Sequence, residues 1–132
     1  MFNGIKYLVI AVNDLESASA RYSAIFGIPV SRNQETAGAG YKSAIFEFPD
    51  ATRVELIQPT DETGVVARRV KAAGEGPYML SMKVDSLSDT VADLRPKGLR
   101  LLGDPGEGNP VTGQVFIHPA SANGMLITLT DR

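Results

Sequence analysis

Four residues of the chain stand one position off an alternating apolar run: Tyr7 in KYLVIAV, Glu55 in RVELIQP, Met79 in YMLSMKV and Thr128 in MLITLTD. Alternation sends neighbouring strand side chains to opposite faces. All four should therefore point away from the face that helices cover. If the two halves of the chain fold alike, the four converge on one cavity. Glu55 is the only carboxylate among them and the candidate general base; Tyr7 is the candidate hydrogen-bond donor or acid. Arg53 shares Glu55's strand face, and Ser81 and Lys83 share that of Met79. Lys83 lies toward its strand end, where an anionic ligand could meet it. Each residue also has a plainer reading. Glu55 can be a carboxylate held by Tyr7, Arg53 or Lys83 with no chemistry. Tyr7 can be a pocket wall with a polar tip. Met79 can fill volume, and Lys83 can be solvated.

The rest of the residue inventory narrows the chemistry. There is no Cys, which excludes disulfides, thiolate metal sites and cysteine nucleophiles. The single His, His118, precedes Pro119 in HPASANG at a strand end. One His without Cys cannot build a His-based metal centre or a Cys-His dyad. No nucleophile-elbow motif supports a Ser-His-Asp triad. The Gly-rich stretches AGAG (37–40) and PGEG (105–108) do not lead a strand into a helix. They read as mobile loops at a cavity mouth rather than phosphate cradles.

Net charge is -2, with Lys and Arg scattered, so no nucleic-acid footprint exists. MFNGIKYLVIAV has no basic region followed by a long apolar run, and no stretch reaches the roughly 20 apolar residues of a membrane span. The expectation is a cytoplasmic protein with no membrane partner. Hydrophobic residues make up 43% of 132, enough for a real core in one domain or two half-modules.

The elements that must position these residues follow in order. Residues 5–12 predict a strand with Leu8, Ile10 and Val12 on one face. Asn13 and Asp14 supply capping chemistry for a helix carrying Leu15, Ala18, Tyr22, Ile25 and Phe26, closed by Gly27. Residues 28–31 predict a short strand and 33–40 a flexible loop. Strands are expected at 41–48 and 52–59, turning at Pro49-Asp50-Ala51. A linking helix follows Asp61, with Val66, Val70 and Ala73 on its buried side. The pattern then restarts. A strand at 78–84 leads through the capping box Ser86-Leu87-Ser88-Asp89 into a helix with Leu87, Val91 and Leu94, closed by Gly98. Short strands are expected at 99–103, 114–119 and 124–130. Tyr7 and Met79 are 72 residues apart, as are Val12 and Val84; Glu55 and Thr128 are 73 apart. That near-constant offset marks an internal repeat.

In YLVIAVNDLESASARYSAIFGIPV, VELIQP, GEGPYMLSMKVDSL and FIHPASANGMLITL, the chain resembles the vicinal oxygen chelate superfamily. That group holds glyoxalase I, bleomycin-resistance proteins, extradiol dioxygenases and methylmalonyl-CoA epimerase, and the likeness is greatest to the epimerase branch. FIHPASANGMLI is the most specific stretch. The resemblance implies an α+β fold of two βαβββ modules, 1–60 and 76–132 joined by a linking helix at 61–75. These would form a curled eight-stranded mixed sheet around a central cavity. It also implies homodimers in many members, with cavities built within one chain or across two.

The family's four metal-ligand positions fall on Tyr7, Glu55, Met79 and Thr128. Only Glu55 keeps a ligating side chain, so neither a metal nor another cofactor is expected. The epimerase branch also places an acidic base before the third strand, where this chain has GAGY (38–41). Both departures argue against methylmalonyl-CoA epimerase activity itself. The leading expectation is a metal-independent isomerase or lyase with Glu55 and Tyr7 as acid-base groups. Its substrate would be a carbonyl compound or CoA thioester, with Arg53, Met79, Ser81, Lys83, Thr128 and His118 in contact with the small organic ligand. One alternative is a non-catalytic binding protein of the drug-resistance kind. A second is a metal-dependent glyoxalase- or epimerase-like enzyme.

Overall fold

The computed structural model describes residues 1–132. Eight strands and three helices follow in the order β1 (Phe2–Ala11), α1 (Leu15–Phe26), β2 (Arg32–Glu35), β3 (Tyr41–Glu47), β4 (Arg53–Pro59), α2 (Val65–Ala73), β5 (Gly76–Val84), α3 (Leu87–Leu94), β6 (Leu101–Leu102), β7 (Val115–Ile117) and β8 (Leu126–Thr130). The strands form one mixed sheet in the order β2-β3-β4-β1-β5-β8-β7-β6. No helix is long and apolar enough to cross a membrane. The chain divides into two compact units. One is Leu8–Tyr78; the other joins Met1–Tyr7 to Met79–Arg132.

In the Leu8–Tyr78 unit, Ile10, Val12, Leu15, Ala18, Ala44, Phe46 and Leu56 form the core, with Leu8, Tyr22, Phe26 and Val54 packed against it. One face of the strands is thus closed by α1. Phe26 seats α1 through edge-to-face contacts with Phe46 and Phe48, at centroid distances of 5.4 and 5.3 Å. Such aromatic pairs add to simple area burial. Asp14 caps α1 by accepting from Ser17 N, and Gly27 ends it at φ 72°. The Leu15 N–H, another orphan of the first turn, donates to Gln58 Oε1 of β4 at 2.7 Å.

Four local expectations need correction. Residues 28–31 form no strand: Ile28 and Val30 instead turn into the core, and pairing with β3 starts at Arg32 opposite Ile45. The 33–40 segment is therefore part strand, and only its second half is a turn. Ile25 is 64% exposed and lies outside the stripe that packs α1. In α2 the buried residues are Val66 and Ala67, with Val70 half-buried, whereas Ala73, the last residue of the helix, is exposed.

In the other unit, Val84, Val91, Leu94, Val115, Ile117 and Leu129 form the core under α3. Ser86 Oγ accepts from Asp89 N at 3.3 Å, as its capping role requires. The next free amide, Leu87 N, donates to Asp131 Oδ2 at 3.0 Å. The β6–β7 edge is tight. Gly103 sits at φ 80°, and a Cβ there would stand 2.3 Å from the Gln114 carbonyl oxygen. We predict that Gly103→Ala lowers stability by about 1–3 kcal/mol in denaturant unfolding, from a steric clash added to backbone strain. Gly113→Ala, where a Cβ meets nothing within 4 Å, should leave stability nearly unchanged.

Candidate functional site

The position of Glu55 follows from β4's alternation. Val54 and Leu56 enter the core beneath α1, so Arg53, Glu55, Ile57 and Pro59 take the opposite face. The antiparallel register sets Glu47 opposite Arg53, Ile45 opposite Glu55, Ser43 opposite Ile57 and Tyr41 opposite Pro59. Ile45, Ile57 and Ser43 are buried, whereas Glu55 and Arg53 are half-buried. Glu55 is thus a carboxylate flanked by two buried isoleucines, set on the face that α1 does not cover. The ion pairs Arg32–Glu47 and Arg95–Asp104 leave it out. Sequence reasoning missed Ser43 and Tyr41 on this face. The signal was present, since β3 alternates in step with β4.

In the other unit the same logic places Met79, Ser81 and Lys83 opposite the α3-packed side of β5, and Thr128 on the matching face of β8. The parallel register pairs Met79 with Leu126, Ser81 with Thr128 and Lys83 with Thr130. Phe116 of β7 stands on the other side of Thr128. Ser81 and Thr128 are both buried, so two hydroxyls lie side by side next to an aromatic ring. The direct neighbour of Thr128 is Ser81; Met79 is one pair further along. Tyr7 is half-buried on β1. Lys83 is exposed and its Cε approaches Gly4, where a Cβ would lie 3.3 Å away.

His118 has a structural task. Its Nδ1 accepts from Ala120 N at 2.9 Å and its own N–H donates to the Arg100 carbonyl at 2.8 Å. It thereby caps the short 3-10 turn Pro119–Ser121. The second Gly-rich loop is tethered. Arg95 grips Asp104 through Nε at 3.0 Å and Nη2 at 2.7 Å, and Nη2 also donates to the Gly106 carbonyl. An open cleft of about 300 Å³ lies between Leu15, Asn33, Gln34, Glu35, Lys42 and Ser43. It includes none of the candidate catalytic or ligand-binding residues read from the sequence.

Residues 7–116 match the model of the Glyoxalase/Bleomycin resistance protein/Dioxygenase superfamily. The chain belongs to that superfamily. It is 30% identical over 135 residues to the ethylmalonyl-CoA/methylmalonyl-CoA epimerase of Cereibacter sphaeroides, covering 98% of each chain. Among solved structures it resembles the methylmalonyl-CoA epimerase of Mycobacterium tuberculosis, with TM-score 0.78, 30% identity, and 97% and 87% of the two chains covered. It also resembles a variant of the Streptomyces coelicolor methylmalonyl-CoA epimerase in complex with 2-nitronate-propionyl-CoA. There the TM-score is 0.77 with 27% identity, covering 98% and 96%.

Membership in the superfamily raises the question of a metal, and the side chains do not fit one. No three His, Cys, Asp or Glu residues gather into a group that could hold an ion. At the positions that the resemblance assigns to ligands, the donors are a phenol, one carboxylate, a thioether and a hydroxyl. The thioether is soft and the hydroxyl weak, whereas the hard or borderline divalent ions want imidazole and carboxylate.

The Arg95–Asp104 pair carries a pH dependence. The Arg95 hydrogen bonds, with the Gly106 N–H, hold the Asp104 carboxyl at about 2, below its ordinary 3.8. A carboxyl depressed in the folded state contributes stability that is complete above its unfolded value and is lost as pH falls through the folded value. The melting temperature of the native chain should therefore drop between pH 4 and pH 2 more steeply than that of Asp104→Asn. Parallel curves would contradict the pairing.

Proposed function

We propose that this protein is an isomerase-type enzyme that moves a proton at the carbon beside the carbonyl of a CoA thioester, with Glu55 as the base and no metal. The observation that carries this reading is the carboxylate of Glu55, half-buried between Ile45 and Ile57 on the face of β4 that its helix leaves uncovered. A carboxylate in such a setting can take a proton from carbon when the resulting charge is stabilised elsewhere. The similarity to methylmalonyl-CoA epimerases supports a CoA thioester as the substrate class. Glu55 removes the α-proton, the electron pair of the C–H bond passes into the thioester as a delocalised enolate, and the Glu55 carboxyl delivers the proton to another carbon of that conjugated system as the electron pair closes on it, giving the isomer.

The roles given to the other unit's residues rest on their chemistry. The Tyr7 phenol is a hydrogen-bond donor suited to an enolate oxygen. The Ser81 and Thr128 hydroxyls, with Met79, suit the acyl portion, and Lys83 suits an anionic group. Arg53, two residues from Glu55, suits a substrate carboxylate. The reading favours a single-base proton shift over a two-base epimerisation. The stretch GAGY (38–41), leading into β3, supplies no carboxylate.

A chain lacking three of the family's four ligating side chains also suits a protein that only binds. Glu55→Gln separates the two cases. If Glu55 is the base, turnover of the CoA thioester falls by about two to four orders of magnitude while affinity changes little. Equal loss of both would identify a binder instead. Elemental analysis of untagged protein should give well under one equivalent of transition metal. A full equivalent that turnover requires would overturn the metal-independent reading.

A further inference from the structure

His118 is the only imidazole of the chain, and its cap on the Pro119–Ser121 turn engages one of its two ring nitrogens. Nδ1 accepts from Ala120 N at 2.9 Å, so in the neutral ring the proton sits on Nε2. One nitrogen thereby fixes the ring and the other offers a donor. That Nε2–H meets no acceptor within the protein.

The β6–β7 ladder gives it a cationic neighbour. Leu101 pairs with Ile117 and Leu102 with Phe116 in antiparallel register. The His118 N–H donates to the Arg100 carbonyl at 2.8 Å, which carries that register one residue further and makes Arg100 and His118 direct partners. Leu101 and Ile117 belong to the core under α3, so alternation sends Arg100 and His118 together to the other face. Side chains directly opposite in such a pair start from Cβ atoms about 5 Å apart. The backbone under Arg100 is held on both sides, since its N–H donates to Ser121 Oγ at 2.9 Å. Its exposed guanidinium has no carboxylate partner; Asp104, the nearest acid in sequence, is taken by Arg95. The next pair along the same face is Leu102 and Phe116, and Leu102 is 37% exposed.

We propose that Arg100 and the His118 Nε2–H form a binding site for the oxyanion of a small organic ligand, a carboxylate or a phosphate group, with Leu102 and Phe116 under its carbon skeleton. A guanidinium gives such a group two parallel, charge-assisted N–H bonds. The imidazole N–H adds a third from across the ladder. Two adjacent donor groups with no acceptor between them are completed by an anion. The site needs no turnover and does not rest on the chemistry given to Glu55; a protein that only binds would use it equally.

The single histidine makes the test direct, because one imidazole gives one set of ring signals in proton NMR. Inorganic phosphate, acetate and hexanoate are titrated into the full chain at constant pH, with ionic strength held by chloride. The ring signals should move saturably with the oxyanions, and hexanoate should bind more tightly than acetate because its chain covers apolar surface. Arg100→Gln should weaken binding about tenfold, and Arg100→Lys should fall between, since it keeps the charge but loses the planar fork. His118→Asn separates ligand binding from capping. Its side-chain oxygen still accepts from the N–H two residues on, so the melting temperature without anion should stay near native. The rise in melting temperature that the tightest of the three anions gives the native chain should be largely lost. Saturation by phosphate alone supports the site and narrows its ligand to a phosphate ester; saturation by the carboxylates alone supports it and narrows the ligand to an organic acid. The inference is overturned if the ring signals follow chloride as they follow the oxyanions, if Arg100→Gln leaves the affinities unchanged, or if His118→Asn keeps the full rise in melting temperature. Hexanoate binding no tighter than acetate would remove Leu102 and Phe116 from the site.

Discussion

The structure depends on β4 being unable to bury consecutive side chains on one side. Leu56 is fully buried and Val54 packs beside it, both beneath α1. Once those two are committed, Arg53, Glu55 and Ile57 must project the other way. A slip of one residue would exchange the faces, placing a carboxylate in the α1 core and a leucine on the open side. The core contacts of Phe26, Phe46 and Leu56 therefore fix the orientation of Glu55 as firmly as any contact it makes itself. The Gln58 bond to the first turn of α1 locks the same register from the polar side.

The second unit applies the constraint to different residues. Met82 and Val84 go under α3, which leaves Ser81 and Met79 opposite. The pairing of Ser81 with Thr128 then sets two buried hydroxyls in adjacent strands, with Phe116 as the next neighbour. In the same unit, the Arg95–Asp104 grip gives a Gly- and Pro-rich segment a fixed anchor. The loop that reads as mobile in sequence is tied at its start.

Most of the architecture was legible because alternation and capping are local. The faces of β1, β4, β5 and β8, the Asp14 and Ser86 caps and the Gly27 terminus all follow from residues within a few positions of each other, and the 72-residue offset is a recurrence of that local pattern. What was hidden depends on distant partners. β2 is wholly exposed and reads Arg-Asn-Gln-Glu, so no apolar pattern betrays it; its place comes from backbone bonds to β3 at the sheet edge. The pairing of Thr128 with Ser81 is a matter of register between strands nearly fifty residues apart in sequence. The Asp131 bond to the α3 amide spans a similar gap. Among candidate site residues, Glu55 and its face were readable, whereas Ser43 and Tyr41 on the paired strand were passed over although β3 alternates in step.

The proposed chemistry turns on Glu55 removing a proton from carbon. The most direct measurement is proton NMR of an acyl-CoA thioester in deuterium oxide with catalytic protein, comparing the native chain with Glu55→Gln. The α-hydrogen signal should disappear with the native protein and persist with the variant. An unchanged signal with native protein, or equal loss with both, would contradict the assignment of Glu55 as the base.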